Sequence, residues 1–412
     1  MGFADDLGAW VARQRWYAGK SHRPRFRILE TQPAGGATRY LLMDDEGARP
    51  TLYHVPLSVV AEPEDPAAVV GRNGSGFFTD AARDAAFAKA LLAEMGVDVS
   101  RVTGSRVLTG EQSNTSIVFD EDGRPTIILK LFRTLHHGEN PDVTVQRVLS
   151  NAGSPYVPRF LGSIDAEWPD VGRESGVAHG TLAFAQEFLP GVRDGWAVAL
   201  EAAAEGRDFT GAARDLGTAV AGVHGALGAA LETADAGPAE VAAVGTAWRR
   251  RLRIGATEVP AVAERRDAIE AVYQAALARP WPRLQRIHGD LHLGQVLAVP
   301  GAGWRIVDFE GEPLRPMEER AIPDLPPRDV AGMLRSFDYA GAVAAGPDAG
   351  AWAAECQTAF VDAYVAAGAA ELDPVLLRAL ILDKAVYESI YEARNRPDWL
   401  PVPLAGIDAA LR

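Results

Sequence analysis

Two acids and an amide stand close together in one segment of the chain. Asp290 closes a His-Gly-Asp triplet, Gln295 comes five residues later, and Asp308 follows the apolar run Ile306–Val307. Phosphoryl transfer needs such a set, because a carboxylate must orient the attacking hydroxyl while oxygen ligands hold magnesium on the nucleotide phosphates. We predict that Asp290 is the general base and that Gln295 and Asp308 bind Mg²⁺.

The alternative for this segment is a turn with a polar exit and an acid at a strand end. Three-letter motifs arise by chance, but the amide at a suitable offset and the apolar strand ending in Asp308 favour the catalytic interpretation. His288 is expected to brace the loop by hydrogen bonding on the substrate side, and Glu310 is a further substrate candidate. A histidine metal site is disfavoured, since His288 and His292 lack the intervening glutamate of HExxH.

The strands upstream of this segment are expected to bind a nucleotide. Lys130 lies in the middle of an apolar strand, where an ammonium group is costly unless it meets an anion such as a phosphate. The alternative is an outward-facing lysine on a half-exposed strand. The turn 109–116 has small and hydroxyl residues that can approach phosphates, but it is neither a Walker loop nor GxGxxG. The backbone from Gln186 to Phe188 is a candidate for hydrogen bonds to an adenine edge.

The pattern of apolar residues predicts an α+β protein. Short apolar runs between turns predict strands over 24–60 and three antiparallel strands over 102–132. Between them we predict a helix that Thr79 or Asp80 caps and Gly96 ends. A helix over 141–149 and a strand ending at Pro190 follow.

Beyond residue 191 the chain becomes largely helical. Helices are predicted over 209–232, 239–252, 260–278, 328–345, 349–368 and 373–394. We therefore predict a cap subdomain over 1–98, a β-rich nucleotide lobe over 99–191, and a helical lobe with the catalytic segment over 192–412.

Composition limits the class of partner. The chain has 412 residues, 48% hydrophobic content and a net charge of −14, so it can bury a large core in more than one domain. Such an acidic surface repels nucleic acid and anionic lipid, and no apolar stretch reaches the length of a membrane span. The N-terminus lacks a secretory pattern, and the single Cys356 fits a reducing compartment. We expect a cytoplasmic monomer or weak homodimer.

Several longer segments resemble the actinobacterial maltokinase-like kinases, and the similarity extends from Gln14–Lys20 nearly to the C-terminus. These segments are HGDLHLGQ, IVDFEGEP, RDVAGMLRSFDYA, GEQSNTS, ILKLF and YEARNRPDWLP. The resemblance implies a bilobal, protein-kinase-like fold related to aminoglycoside phosphotransferases, with an N-terminal cap subdomain. It also implies ATP and Mg²⁺ as cofactors and a small sugar as substrate.

The resemblance assigns roles to individual residues. Asp290 is implied as the base, Gln295 and Asp308 as magnesium ligands, and Lys130 as a phosphate ligand. The implied phosphate-binding loop comprises Ser113, Asn114, Thr115 and Ser116.

One position departs from the family pattern. Maltokinases carry an acid where this chain has Thr144, so the usual partner of Lys130 is missing. Glu139 and Asp142 are the two carboxylates that could replace it.

The sugar-binding residues are expected in the penultimate helix. Tyr387, Glu388, Tyr391 and Arg394 recur at spacings of three and four, which places them on one face. Tyrosine rings can stack on sugars, and Arg and Glu can hydrogen-bond to hydroxyls. The resemblance points to Tyr391 and Arg394 as sugar contacts. The alternative is a stripe that braces core and surface.

The family contains maltokinases, which make maltose 1-phosphate, and glucosamine kinases, which make glucosamine 6-phosphate. An amino sugar is largely protonated near neutral pH, so its pocket needs a carboxylate without another partner. Glu388, Glu392, Asp383 and Glu310 are the available acids. The short N-terminus and Thr144 favour glucosamine. A maltokinase, an antibiotic phosphotransferase and a nucleotide-binding pseudokinase stay as alternatives.

Overall fold

The computed structural model describes residues 3–20, 24–46, 50–63, 65–74, 76–108, 113–312, 315–346, 348–368 and 372–412. The chain forms two compact units. The first comprises Met1–Val143 and Pro158–Pro190, and the second comprises Thr144–Val157 and Gly191–Arg412. The lobe boundary predicted at 191 falls where the second unit resumes, whereas residues 144–157 belong to the second unit.

One sheet of the first unit is built from the N-terminal segments and runs in the order β1-β2-β3-β5-β4, with β9 beside β3. Its strands are β1 (Phe26–Ala34), β2 (Ala37–Asp44), β3 (Thr51–Val60), β4 (Val69–Asn73), β5 (Gly76–Asp80) and β9 (Thr134–Leu135). Helix α1 (Phe3–Arg13) buries Leu7, Trp10 and Val11 in an aromatic cluster with Tyr17 and Tyr53. The predicted strands over 24–60 are confirmed.

The second sheet of the first unit carries Lys130 and has the antiparallel order β10-β11-β8-β7-β6. Its strands are β6 (Val102–Val107), β7 (Asn114–Glu121), β8 (Arg124–Phe132), β10 (Phe160–Pro169) and β11 (Val177–Glu187). The three strands predicted over 102–132 are confirmed. Strand β8 is the central strand of this sheet, with β7 beside it, and Ile117, Leu129 and Leu131 of these two strands are fully buried. Lys130 lies on β8 between Leu129 and Leu131.

Buried polar contacts hold the two sheets of the first unit together. Arg133 follows β8 and is completely buried. Its Nη2 donates to Asp80 at 2.6 Å, its Nε donates to Thr115 at 2.8 Å, and its guanidinium lies 5.1 Å from the Trp16 ring centroid. A buried arginine is tolerated because these acceptors compensate for its lost hydration.

The helix between the sheets begins later than predicted. Helix α2 (Ala85–Glu94) is capped by Asp84, whose carboxylate accepts from the amides of Ala86 and Phe87. The predicted cap at Thr79 or Asp80 is therefore wrong, because Asp80 instead caps a short 3₁₀ turn that precedes α2. Gly96 ends the helix in a left-handed conformation with φ of 79°, as predicted.

The second unit is mainly helical. Its helices are α4 (Gly195–Ala204), α5 (Thr210–Ala230), α6 (Pro238–Glu258), α7 (Pro260–Glu264), α8 (Arg266–Leu277), α9 (Met317–Arg320), α10 (Pro327–Ala344), α11 (Ala349–Ala366), α12 (Pro374–Asn395) and α13 (Pro401–Leu411). They confirm the predicted helices, except that 260–278 is divided at Arg265 into α7 and α8. One core packs around α5, α10 and α11, and another around α6, α8 and α12.

A small sheet lies among these helices and carries the predicted catalytic segment. Strands β12 (Arg193–Asp194), β13 (Val296–Val299) and β14 (Gly303–Ile306) pair antiparallel in that order. Val296 lies opposite Ile306, and both are buried. This pairing places the residues just before β13 next to those just after β14.

Helix α3 (Pro141–Asn151) begins in the first unit and continues in the second. Asn140 caps it by accepting from the amides of Asp142 and Val143. Among the described helices of the chain, none combines the length and the apolar character that a membrane span requires.

Candidate active site

The loop that carries Asp290 packs tightly against its neighbours. Gly289 has a φ of 84°, and a Cβ there would lie 3.2 Å from the Gly311 Cα, so a larger residue would be strained. Helix α10 also approaches closely, because a Cβ at Gly332 would lie 2.4 Å from the Leu291 carbonyl oxygen. The backbone around Asp290 is therefore fixed on two sides.

Asp329, in the first turn of α10, holds this loop from beneath and is only 1% exposed. Its carboxylate accepts from the backbone amides of His288 at 2.7 Å and Gly289 at 2.9 Å. His224 of α5 lies 3.0 Å from the same carboxylate and 2.9 Å from the Tyr364 hydroxyl. Burial alone raises the pKa of Asp329, but the hydrogen bonds and the attraction of His224 and His288 lower it overall.

Replacing Asp329 with asparagine is expected to lower the free energy of unfolding by about 2 kcal/mol at pH 7, because hydrogen bonds to a charged acceptor are the strong ones. A carboxyl group whose folded-state pKa lies below its unfolded value of about 3.9 stabilises the fold above that pH and loses the contribution as the pH falls through the folded pKa. The difference in Tm between wild type and D329N should therefore shrink between pH 7 and pH 3.

The matched control is D215N, which changes an exposed aspartate on α5 and should leave Tm unchanged at both pH values. Equal Tm differences for D329N at both pH values would contradict a role for the Asp329 charge.

Gln295 and Asp308 lie side by side, as the pairing of β13 with β14 requires. The Gln295 Nε2 donates to Asp308 Oδ2 at 3.1 Å. Asp308 adopts a left-handed conformation with φ of 66°, which aspartate tolerates better than most residues. With its nitrogen turned to Asp308, the Gln295 amide offers an oxygen, and oxygen ligands are the ones that Mg²⁺ selects. The donor set fits the metal.

His288 braces the loop with both ring nitrogens. Its Nδ1 accepts from the Asp290 amide at 3.3 Å, and its Nε2 lies 3.0 Å from the Val307 carbonyl oxygen. The ring packs 4.8 Å from the Phe309 ring, and the residue is 2% exposed. Its predicted bracing role therefore agrees with the geometry, whereas its predicted contact with substrate does not, since neither nitrogen is available.

The side chain of Asp290 meets a lysine from the C-terminal region. Lys384 of α12 donates from Nζ to Asp290 Oδ1 at 2.9 Å. Tyr387 lies one turn further along α12, with the Lys384 ammonium 5.1 Å from its ring centroid. These residues border a small cavity of about 20 Å³, which is enough for a water molecule.

An ionic cluster lines the other side of this cavity. Arg251 of α6 pairs with Asp383 of α12 and lies 3.4 Å from Glu312. Arg328 of α10 lies 3.0 Å from Asp324 and 3.9 Å from Asp383. Arginine and acid alternate, so each buried charge has an opposite partner.

Arg320 shows that the acids of this region converge. Burial lowers the pKa of Arg320, while attraction to Glu310, Glu312, Asp290 and Asp308 opposes that shift. Its Nη1 also donates to the Glu310 carbonyl oxygen at 3.3 Å. Four carboxylates are therefore within electrostatic reach of one guanidinium.

In the first unit, Lys130 pairs with Asp142. The Lys130 Nζ donates to Asp142 Oδ2 at 3.0 Å, and the two side chains are 16% and 4% exposed. Of the two acids that the sequence left open, the structure selects Asp142. Asp142 stands two residues before Thr144 on α3. Its carboxylate pairs with Lys130, so the ion pair is present although residue 144 is not an acid.

Replacing Asp142 with asparagine is expected to lower kcat/KM for ATP about tenfold, because an ion pair that holds a phosphate-binding lysine is part of phosphoryl-transfer machinery. Steady-state kinetics at saturating acceptor would measure it. The control is D120N, which breaks the exposed pair Arg106–Asp120 of the same sheet and should change kcat/KM less than twofold. Equal effects of D142N and D120N would argue against a role for Lys130.

The predicted phosphate-binding loop is only partly described, since residues 109–112 lie outside the described residues. Ser113 is exposed, whereas Asn114, Thr115 and Ser116 are buried at the start of β7. Thr115 accepts from Arg133, and Ser116 lies opposite Lys130 in the β7–β8 register. Of these four residues, Ser113 alone is placed to meet a ligand from solvent.

The predicted adenine contacts lie at the end of β11. Gln186 pairs with Ile128 and is half-buried. The Phe188 amide already donates to the Thr126 carbonyl oxygen at 2.8 Å. An adenine could therefore use a carbonyl of this segment, and not the Phe188 N–H that the prediction included.

Helix α12 does not gather its predicted sugar-binding residues at Asp290. Tyr387 is there, but Glu388 accepts twice from Arg335 with one oxygen, at 2.9 and 2.8 Å. Arg394 is half-exposed and forms a bidentate pair with Glu258 of α6. Tyr391 is 43% exposed beside the Arg396 guanidinium. The expected single sugar-binding face of Glu388, Tyr391 and Arg394 is thus not formed.

Three of the four acids considered for an amine are also committed to arginines. Asp383 pairs with Arg251, Glu388 with Arg335, and Glu392 with Arg396. The expectation that they await a substrate amine is therefore wrong.

Comparison with known proteins places this site in a family. Residues 10–84 match the maltokinase N-terminal cap domain, and residues 105–358 match the phosphotransferase enzyme family. The chain belongs to the phosphotransferase enzyme family. The resemblance drawn from the sequence motifs is thereby confirmed, as is the α+β phosphotransferase fold with an N-terminal cap domain.

Two curated relatives of this phosphotransferase are glucosamine kinases. One, from Streptacidiphilus jiangxiensis, is 32% identical over 346 residues that cover 78% of this chain and 75% of the relative. The other, from Mycolicibacterium smegmatis, is 32% identical over 334 residues that cover 75% and 80%.

Solved structures show the same fold. A glucosamine kinase in complex with glucosamine, ADP and inorganic phosphate covers both chains completely, with 24% identity and a TM-score of 0.73. Another glucosamine kinase structure, in crystal form A, has 25% identity and a TM-score of 0.70 and covers 100% of this chain and 99% of that one.

Sequence reasoning missed two residues of the phosphotransferase site. Asp329 follows two prolines at the start of α10, and an acid at the N-terminus of a helix is readily assigned to the helix dipole alone. Lys384 stands three residues before Tyr387 in an apolar helix, which was the one available signal. Only the tertiary fold brings Lys384 to Asp290, 94 positions away.

Proposed function

We propose that this phosphotransferase transfers the γ-phosphoryl group of ATP to a hydroxyl of glucosamine, giving glucosamine 6-phosphate. The observation that carries the proposal is the arrangement of Asp290, which has a lysine on one carboxylate oxygen, beside the oxygen-donor pair Gln295–Asp308. The two glucosamine kinase relatives at 32% identity support the choice of sugar.

The reaction assigns a role to each oxygen of Asp290. In the described part of the chain, no protein group donates a hydrogen bond to Asp290 Oδ2. This oxygen can therefore accept a hydrogen bond from the sugar hydroxyl that is to be phosphorylated. The sugar oxygen forms a bond to the γ-phosphorus while the bond from phosphorus to the bridging oxygen breaks. The hydroxyl proton passes to Asp290, and ADP leaves with the electron pair. Magnesium, when bound, neutralises phosphate charge, and Gln295 and Asp308 would hold it.

The test is a substrate panel with purified protein, ATP and Mg²⁺. Glucosamine, N-acetylglucosamine, glucose, maltose and an aminoglycoside are compared by ADP release, and the product is identified by ³¹P NMR and mass spectrometry. We expect phosphorylation of glucosamine with at least tenfold higher kcat/KM than of glucose. Comparable rates for glucosamine and N-acetylglucosamine would contradict recognition of a free amine.

A second candidate is maltose phosphorylation, which the match of residues 10–84 to the maltokinase cap domain favours. It predicts maltose 1-phosphate as the product of the same panel. The pseudokinase alternative depended on the absence of an acid at Thr144. Because Asp142 pairs with Lys130 instead, that argument no longer favours a pseudokinase. The predicted monomer or weak homodimer stays a prediction.

A further inference from the structure

Lys384 contacts the carboxylate of the proposed base. Its Nζ lies 2.9 Å from Asp290 Oδ1, and the two side chains are 25% and 19% exposed. The lysine comes from α12, at the C-terminal end of the chain, whereas Asp290 lies in the loop before β13. The contact therefore joins two elements that are distant in sequence.

The surroundings of Lys384 keep it charged. Burial alone lowers the pKa of its ammonium, but attraction to Asp290, Glu388 and Glu312 outweighs burial and raises that pKa above its ordinary value. The face of the Tyr387 ring adds a cation–π contact at 5.1 Å. A permanent cation thus sits against one oxygen of Asp290.

We propose that Lys384 is a positioning residue for phosphoryl transfer: it holds Asp290 Oδ1 so that Oδ2 is presented to the acceptor hydroxyl. The inference rests on the proposed kinase function and adds to it a residue that acts through the base. Since Asp290 can rotate about its side-chain torsions, a fixed partner on one oxygen decides where the other points.

The same contact changes character during the reaction. Before transfer, the lysine and the carboxylate neutralise each other. When the hydroxyl proton reaches Asp290 Oδ2, the carboxylate loses its charge, and the Lys384 ammonium loses its hydrogen-bonded anionic partner while Glu388 and Glu312 still attract it. Reacting atoms lie about 3 Å apart in a productive complex, so a hydroxyl bound by Asp290 brings the transferred phosphoryl group close to the Asp290–Lys384 pair. The Lys384 ammonium therefore stabilises the negative charge that develops on the phosphoryl oxygens more in the transition state than in the ground state.

A structural salt bridge that merely fastens α12 is the competing explanation. Arg279 offers a matched control, because it pairs with Asp373, the residue that caps the N-terminus of the same helix. If Lys384 only fastens α12, K384M should behave like R279M, with a similar loss of Tm and an unchanged kcat for the folded enzyme.

The experiment compares wild type, K384M, K384R, K384A and R279M with the acceptor that the substrate panel identifies. We expect K384M to lower kcat about 30-fold while KM for ATP changes less than threefold, and calorimetry should show unchanged binding of Mg²⁺ with a non-hydrolysable ATP analogue. K384R should recover part of the loss, and ethylammonium should restore activity to K384A. R279M should keep kcat within twofold of wild type.

A double-mutant comparison tests whether Lys384 acts through the base. In the D290N background, K384M should lower kcat less than twofold further, because the partner of the lysine is already neutral. A kcat of K384M within twofold of wild type, or a full additional loss in D290N/K384M, overturns the proposal. Wild-type protein that releases no ADP with any sugar overturns the proposed function as well, whereas active wild type with equally active K384M overturns only the role of Lys384.

Discussion

Replacing Asp290 with asparagine is expected to lower kcat about 1000-fold. Asparagine keeps the shape of the side chain but cannot take the proton of the acceptor hydroxyl, and general-base catalysis typically contributes 10²- to 10⁴-fold. The buried face of the loop is unaffected, because Asp329 holds the amides of His288 and Gly289 whichever residue follows. Single-turnover phosphorylation of the acceptor under saturating ATP measures the loss.

The fold of the variant provides the control on this result. D290N leaves the Lys384 ammonium without its anionic partner, so a modest fall in Tm is expected along with the loss of kcat. KM for ATP should stay within threefold of wild type. D362N, an exposed aspartate on α11, should match wild type in both Tm and kcat. A kcat of D290N within tenfold of wild type would assign the base to another group.

The secondary structure of this chain follows closely from local pattern. The strands over 102–132 alternate short apolar runs with turns, and the helices after residue 191 carry long apolar periodicity. The wrong prediction of the cap of α2 arose because two neighbouring aspartates could both have capped a helix. Asp80 has the right type for a helix cap, but it is drawn to Arg133 and to a 3₁₀ turn, and Asp84 caps α2 instead.

The candidate site was predictable where it lies within one short segment. Asp290, Gln295 and Asp308 are separated by a single hairpin, so the pairing of β13 and β14 brings Gln295 and Asp308 together. The same holds for Lys130 and Asp142, since the nearby acids are few and the start of α3 limits where each can point.

The prediction of a sugar-binding face on α12 was wrong because residue spacing alone does not show whether a polar side chain binds a ligand or forms an ion pair within the protein. The prediction placed Glu388 and Arg394 together as sugar contacts on α12, but α10 brings Arg335 to the first and α6 brings Glu258 to the second. Buried acids are held by arginines because an unpaired charge is costly away from water. No local pattern records which distant helix supplies the partner.

The buried charges of the second unit also explain why Lys384 belongs with the site. Arg251, Arg328 and Arg335 are each matched by acids of α12 or by residues beside it. Among the described residues, Lys384 is matched by Asp290 and not by another acid of the helical cores. The helix that supplies structural ion pairs therefore also supplies the contact to the proposed base.

Replacing Asp308 with asparagine is expected to lower kcat about 1000-fold while leaving the fold intact. Asparagine accepts the left-handed conformation at φ of 66° as readily as aspartate, so the backbone after β14 should not change. The substitution removes one negative charge from the pair with Gln295, and Mg²⁺ in nucleotide sites depends on one or two carboxylates. Binding of Mg²⁺ with ADP, measured by calorimetry, should weaken at least tenfold, while ADP alone should bind as to wild type.

The control for D308N is the same substitution at Asp122, which also has a positive φ, of 49°, but lies in the exposed turn between β7 and β8. D122N separates the effect of asparagine in a left-handed turn from the effect of a lost metal ligand, so its Tm, kcat and Mg²⁺ dependence should match wild type. If D308N binds Mg²⁺ with ADP as tightly as wild type does, Asp308 is not a metal ligand. A fall in Tm for D308N without a change in Mg²⁺ affinity would then assign Asp308 to the architecture of the loop, where its carboxylate accepts the hydrogen bond from Gln295.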